Sequence, residues 1–226
     1  YAGGGEVTTE GEHITSDRGS YHRDSGRRDF LGQVHMVVDT LNVRSERVGY
    51  LPKARKLILT DPAEVRHPSG GVDCVRGEWG LEAGGGWFAG DSSSVARFVD
   101  GDLVVTGDSL ALSDALGVAR GRVLLTDTVG SYRLGGDAVD FERESDGGSG
   151  QVSLKGNAFA WLNEGDAPLL VQGPSITIAT DSAQQRMLFA EEGAVLHSDE
   201  VTGAAQRLEW SERAEQVDLE GEPVLW

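Results

Sequence analysis

The chain has 226 residues, with 37 acidic against 20 basic side chains, a net charge of -17 and a hydrophobic share of 38%. That balance argues against nucleic-acid binding, which needs a basic face, and against docking on anionic headgroups by charge. It favours a well-solvated surface around a thin core, in a length that all-β folds reach as one unit. Cys74 stands alone, so neither an internal disulfide nor CxxC metal spacing exists, and it reads as a small apolar strand residue. No run approaches the ~18 apolar residues of a membrane helix. The chain opens at Tyr1 without Met or a signal-like apolar stretch, so a removed export signal or an artificial boundary is expected before it.

Residues 1–12 read as a flexible N-terminal segment, and 13–226 as a single domain. Along that domain a short motif recurs, beginning with Gly, Asp or Glu and running into apolar alternation. Its copies start at Gly32, Asp61, Asp91, Gly121, Gly156, Glu192 and Gly221, in steps of 29, 30, 30, 35, 36 and 29 residues. Upstream of each copy lies an apolar anchor, in order Tyr21, Tyr50, Trp79, Leu112, Phe141, Ile178 and Trp210. Between anchor and motif sits a polar turn such as HRDSGRRD, LPKAR or GLEAGGG. The unit is therefore strand, polar turn, strand, and the scattered glycines mark turns.

Strand periodicity supports this. Phe30, Gly32, Val34, Met36 and Val38 share one side, opposite Asp29, Gln33, His35 and Asp39. Leu57, Leu59, Asp61, Ala63 and Val65 repeat the pattern, as do Val152, Leu154, Gly156, Ala158, Ala160 and Leu162 against Ser153, Lys155 and Asn157. Gly203 to Leu219 is rich in helix formers, but its place in the repeat predicts strand, turn, strand. DGGSG at Asp146 to Gly150 and NEGDAP at Asn163 to Pro168 read as hairpin loops.

A two-strand unit buries its apolar side only by stacking on neighbours. A β-helix, a closed barrel and a folded-over two-sheet jellyroll all satisfy this. The unequal middle units disfavour the uniform coils of a β-helix. We expect an all-β, elongated, folded-over β-jellyroll of about seven strand-turn-strand repeats. Its interior would be an apolar trough and its terminal rungs would have unpaired edges.

The units SDRGSYHRDSGRRDFLGQVHM, SERVGYLPKARKLILTDPAEV and GDSLALSDALGVARGRVLL resemble OstA-type repeats, as does the closing LEGEPVLW (Leu219 to Trp226). There a strand with Ala/Ser-Asp and an aromatic is followed by a turn and a Gly-x-Val strand. The resemblance runs from about His13 onward. It is to the OstA-like lipopolysaccharide-transport family, which includes LptA, the LptC periplasmic domain and the LptD N-terminal domain. It implies a twisted β-jellyroll, a periplasmic location, passage of lipopolysaccharide or related glycolipid acyl chains through the trough, and no chemistry or cofactor. It also implies edge-to-edge assembly with other Lpt-type jellyrolls toward the outer membrane, or with further copies of the chain. The strong acidity and the long middle units depart from that pattern.

On this reading the lipid-binding candidates are Val34, Met36, Val38, Leu57, Leu59, Val65, Val123, Leu125, Val152, Leu154, Ile176, Ile178 and Leu196, although for any one of them taken singly ordinary core is the better reading. Burying acyl methylenes there would contribute about 0.8 kcal/mol each, leaving phosphates outside and without charge contacts. Catalysis has little local support. His13, His22, His35, His67 and His197 lack metal-ligand spacing, and no nucleophile elbow or phosphate loop is present. Gly84-Gly85-Gly86 is expected as a turn, and Asp100-Gly101-Asp102 and Asp146-Gly147-Gly148 as hairpin turns rather than calcium loops. No metal and no catalytic residue is assigned. The chief alternative is a structural or glycan-binding β-solenoid or adhesin domain; an acidic carbohydrate-active enzyme would need two carboxylates at fixed separation in a cleft.

Overall fold

The computed structural model describes residues 2–9, 11–68, 70–129, 132–142, 150–164, 167–181, 183, 185–214 and 216–226. These form twenty strands and one 3-10 turn, Pro52–Ala54. The DGGSG turn and the tip of NEGDAP lie outside the described residues. The chain falls into two compact units, Tyr1–Gly101 with Thr106–Asp114, and Asp102–Val105 with Ala115–Trp226.

Unit 1 holds β1 (Ala2–Thr9), β2 (Glu12–His22), β3 (Arg27–Val38), β4 (Leu41–Leu51), β5 (Lys56–Leu59), β6 (Ala63–His67), β7 (Gly70–Cys74), β8 (Arg76–Gly80), β9 (Gly85–Ala89) and β10 (Ala96–Asp100). The strand β11 (Leu103–Gly107) spans the boundary, and β12 (Ser109–Leu112) belongs to unit 1. Unit 2 holds β13 (Leu116–Asp127), β14 (Tyr132–Glu142), β15 (Gly150–Glu164), β16 (Ala167–Thr180), β17 (Arg186–His197), β18 (Thr202–Ser211), β19 (Gln216–Glu220) and β20 (Val224–Leu225). Ala2–Thr9, within the 1–12 segment expected to be flexible, pairs with β2. Gly203 to Leu219 folds as strand, turn, strand, because β18 pairs edge to edge with β17 and β19 and buries Ala205, Leu208 and Trp210, while helix propensity is worth only tenths of a kcal/mol per residue.

The long strands exceed the ordinary five or six residues because each folds over at its middle. At the fold two successive left-handed residues oppose one partner residue, which is a β-bulge and bends the strand. These pairs are Gly32-Gln33 opposite Glu46, Gly121-Arg122 opposite Asp137, Gly156-Asn157 opposite Pro174, and Glu192-Gly193 opposite Gln206. Gly3-Gly4 does the same opposite Asp17. The motif copies at Asp61 and Asp91 coincide with full strand breaks, between β5 and β6 and between β9 and β10. The repeat motif is thus the corner of the fold.

The bend divides unit 1 into two leaves. The first leaf is Glu12–Ser16, Val34–Val38, Leu41–Ser45, β6, β7 and β10; the second is Arg18–His22, Arg27–Leu31, Val48–Leu51, β5, β8, β9 and β12. In unit 2 the first leaf takes Val123–Thr126, Tyr132–Gly135, Ala158–Glu164, Ala167–Gln172, Ala194–His197, Thr202–Ala205 and β20. The second takes Leu116–Arg120, Ala138–Glu142, Gly150–Lys155, Ser175–Thr180, Arg186–Glu191, Arg207–Ser211 and β19. Each unit is a folded-over β structure, and among the described residues the strands flanking all seven expected turns are present, with β1 added ahead of them.

Candidate functional site

The candidate site is the space between the leaves of each unit, built from cross-strand rows. On the first leaf of unit 1, Ile14, Met36, Val43, Val65, Val72 and Phe98 pair in succession, each at most 2% exposed. On the second leaf Phe30, Val48, Leu59, Gly77, Phe88 and Leu110 form the facing row. Unit 2 repeats this with Ala119, Val139, Leu154, Ile176, Ala190 and Leu208 on the second leaf, and Leu125, Leu134, Ala160, Val171 and Leu196 on the first. Cross-strand contact of this kind is the basic unit of sheet stabilisation.

The structure buries Val34, Met36, Val38, Leu57, Leu59 and Val65 in unit 1, and Val123, Leu125, Leu154, Ile176, Ile178 and Leu196 in unit 2. Val152 is half-buried, beside Ile178 in its row. Small residues line the corner: Ser16, Ser45, Cys74 and Gly107 in unit 1, and Gly136, Gly173 and Ala205 in unit 2. Burial pushes the Cys74 thiol up to about 12, with the Asp73 charge adding to it. Outside the corner, unit 1 carries a groove of about 580 Å³ lined by Gln33, His35, Arg44, Glu46, Glu64 and Asp73 among others.

Six of the seven anchors, Tyr50, Trp79, Leu112, Phe141, Ile178 and Trp210, are buried. Tyr21 is 65% exposed, because the Arg18–His22 half of β2 is the edge of its leaf and β1 reaches it only at Arg18. Trp87, on the outward side of β9, donates to the Glu78 carboxylate, while its neighbour Phe88 is fully buried.

The side opposite the corner is a seam, and in unit 1 polar side chains close it. By strand alternation Glu12 shares a side with Ile14, and Arg28 with Phe30, so both face inward at the end of the apolar space. Tyr50 on the second leaf donates to Glu12 Oε1 on the first at 2.7 Å, and Arg28 Nη1 donates to Glu12 Oε2 at 3.1 Å. Arg55, after β4, pairs with Asp39, after β3, and His67 meets the Trp79 ring at 6.0 Å. Burial foremost, then the Glu12 hydrogen bond and charge, raises the Tyr50 hydroxyl to about 12. In unit 2 the seam carries Arg186 over the Tyr132 ring at 5.9 Å. No signal in the strand periodicity marks Glu12 or Arg28; the basic turns HRDSGRRD and LPKAR, unusual in so acidic a chain, are the trace that points there.

Among the described residues no group of three or more His, Cys, Asp or Glu side chains could hold a metal ion. No helix there is long and apolar enough to cross a membrane.

No protein-family model matches the sequence, and no curated protein matches it. Among solved structures the chain is similar to LptH of Pseudomonas aeruginosa, described as the LptA-homologous periplasmic component of the conserved lipopolysaccharide transport device. Identity is 21%, the match covers 53% of this chain and 82% of that one, and the TM-score is 0.44. A likeness of this degree assigns no residue and no ligand.

Proposed function

We propose that this chain is a periplasmic lipid-handling jellyroll that binds lipopolysaccharide or a related glycolipid, taking acyl chains between its leaves. The observation that carries this reading is the pair of facing apolar rows, joined at a corner by bulges and at the seam by separable polar contacts. The OstA-type repeats support it from the sequence side. Each methylene taken from water into that space contributes about 0.8 kcal/mol, so a few acyl chains bind without any reaction chemistry. Since the core side chains are closed on one another, binding requires the leaves to part at the seam. Assembly with neighbours would use the terminal strands, β1 in unit 1 and β19 and β20 in unit 2, each paired on one side among the described residues.

A glycan-binding reading would use a row of exposed aromatics. Exposed Tyr21 and Trp87 stand on β2 and β9 of the same leaf, with β3, β4, β5 and β8 between them, so they form no row.

A photo-crosslinker at Met36 or Leu59 tests the lipid reading. Capture of lipopolysaccharide from these buried positions, with little from His35 on the outward side, supports it. Capture from His35 alone removes it.

A further inference from the structure

In a chain of net charge -17, two turns of unit 1 are basic. His22–Arg28 and Pro52–Lys56 together hold six cations, Arg23, Arg27, Arg28, Lys53, Arg55 and Lys56, against the single carboxylate of Asp24. The pairings Arg28 with Tyr50 and Leu51 with Lys56 set the two turns side by side, at the seam end of the second leaf. The basic rim therefore stands at the mouth of the apolar space.

The way these cations are held divides them. Arg27 pairs with Asp29 at 2.7 Å and Lys56 pairs with Glu78, both on their own leaf. Arg28 and Arg55 are instead held by Glu12 and Asp39, at strand ends of the opposite leaf, Arg55 having in addition a 3.9 Å contact with Glu82 in the turn after β8. Arg23 and Lys53 make no ion pair among the described residues. Parting the leaves would leave the first two pairs intact, strip Arg28 of its carboxylate, and leave Arg55 only the longer contact with Glu82. An unpaired guanidinium at a partly buried mouth is costly, so a phosphate arriving there would be taken up in its place.

We propose that this rim recognises the phosphate-bearing headgroup of an amphiphile whose acyl chain enters between the leaves, with Glu12 and Asp39 as resident carboxylates that the headgroup displaces. The inference rests on the lipid reading above and adds a charge contact where overall composition argues for none. Arginine suits the role because its planar fork meets phosphate through two parallel hydrogen bonds.

The test uses the full chain and three probes: a single-chain lysophosphatidic acid, a monoacylglycerol of the same chain length, and inorganic phosphate. Equilibrium dialysis gives the affinity of each. The wild-type protein is expected to prefer the phosphorylated amphiphile over the neutral one by about tenfold. Arg28→Gln with Arg55→Gln should abolish that preference while neutral binding persists. Arg23→Gln with Lys53→Gln, which breaks no observed ion pair, should reduce it by about threefold. Glu12→Gln should increase the preference, since it removes a competitor; a merely structural Arg28 would not give opposite signs in the two variants. An unchanged ratio in the arginine variants overturns the rim while leaving the lipid reading standing. Binding of neither amphiphile overturns both. Inorganic phosphate binding as tightly as the lysophosphatidic acid overturns the headgroup assignment in favour of a free-anion site.

Discussion

A Cβ atom built on Gly32 would lie 2.3 Å from the Asp17 carboxylate oxygen on the neighbouring strand. Gly156 stands in the same relation to Asp137, at 2.5 Å. Both glycines also have left-handed φ, near +76° and +69°. Two independent restrictions thus fall on one residue, at the point where a strand must turn from one leaf into the other.

Gly32→Ala is therefore expected to destabilise the protein by about 2–4 kcal/mol. Gly3 supplies the control: its φ is +94°, yet nothing lies within 4 Å of its Cβ position. Gly3→Ala should cost only the conformational strain, about 1 kcal/mol. Urea unfolding midpoints of the two variants give the comparison; equal losses would show that Asp17 does not matter at the corner.

The burial of Tyr50, with its hydrogen bond to Glu12, predicts an alkaline transition. Tyr50 ionises at about 12 in the folded chain against an ordinary 10.0. The unfolded chain releases that proton first, so stability is fully present below pH 10 and falls between 10 and 12. Tyrosinate absorbance should show one of the four tyrosines titrating late, or together with unfolding. Tyr50→Phe should lose about 1 kcal/mol at neutral pH through the missing hydrogen bond and show a shallower alkaline loss.

Acid should act at the other charged contacts. The Arg186 hydrogen bond holds the Glu212 carboxylate below its usual range, and the Lys56 hydrogen bond does the same for Glu78. Depressed carboxylates stabilise above their unfolded pKa and cease to do so as pH falls through the folded one. The melting temperature of Glu212→Gln should lie below that of wild type at pH 7 and converge with it in acid, as pH falls past the ordinary carboxylate range and through the lowered folded value. A gap that persists in acid would mean the glutamate acts by packing.

Cys74 should be chemically quiet. Its buried thiol ionises at about 12, so the reactive thiolate is scarce at pH 8. Reaction with a disulfide reagent should be about 100-fold slower in the folded protein than in urea. Fast native reaction would show that the corner opens readily.

The seven-unit repeat was legible because half of the strands keep strict alternation from end to end. Along β3 the buried residues are Phe30, Val34, Met36 and Val38, which keep even spacing across the bend at Gly32-Gln33. The extra residue of the bulge is taken up at the corner itself, so the parity of the chain survives. The cost falls on the partner strands. On β4 the inward residues run Leu41, Val43, Ser45 and then Val48 and Tyr50, a slip of one position. The same slip separates Gly136 from Val139, Gly173 from Ile176, and Ala205 from Leu208. Period-two reading breaks at each of these positions, so the partner strands do not show the corner by alternation alone.

The seam was out of reach for a different reason. Glu12 and Tyr50 are 38 positions apart and meet only because their strands lie on opposite leaves. Nothing in the local pattern of either strand requires that contact.

The alternation of one parity-keeping strand with one slipping strand also makes the architecture modular in a genetic sense. Copying or deleting a segment of two strands restores both the apolar phase and the corner at its boundaries, whereas a change of one strand would set a bulge against a bulge. Tandem duplication of about thirty codons is then the smallest lengthening that such a gene can accept without turning its oily side outward.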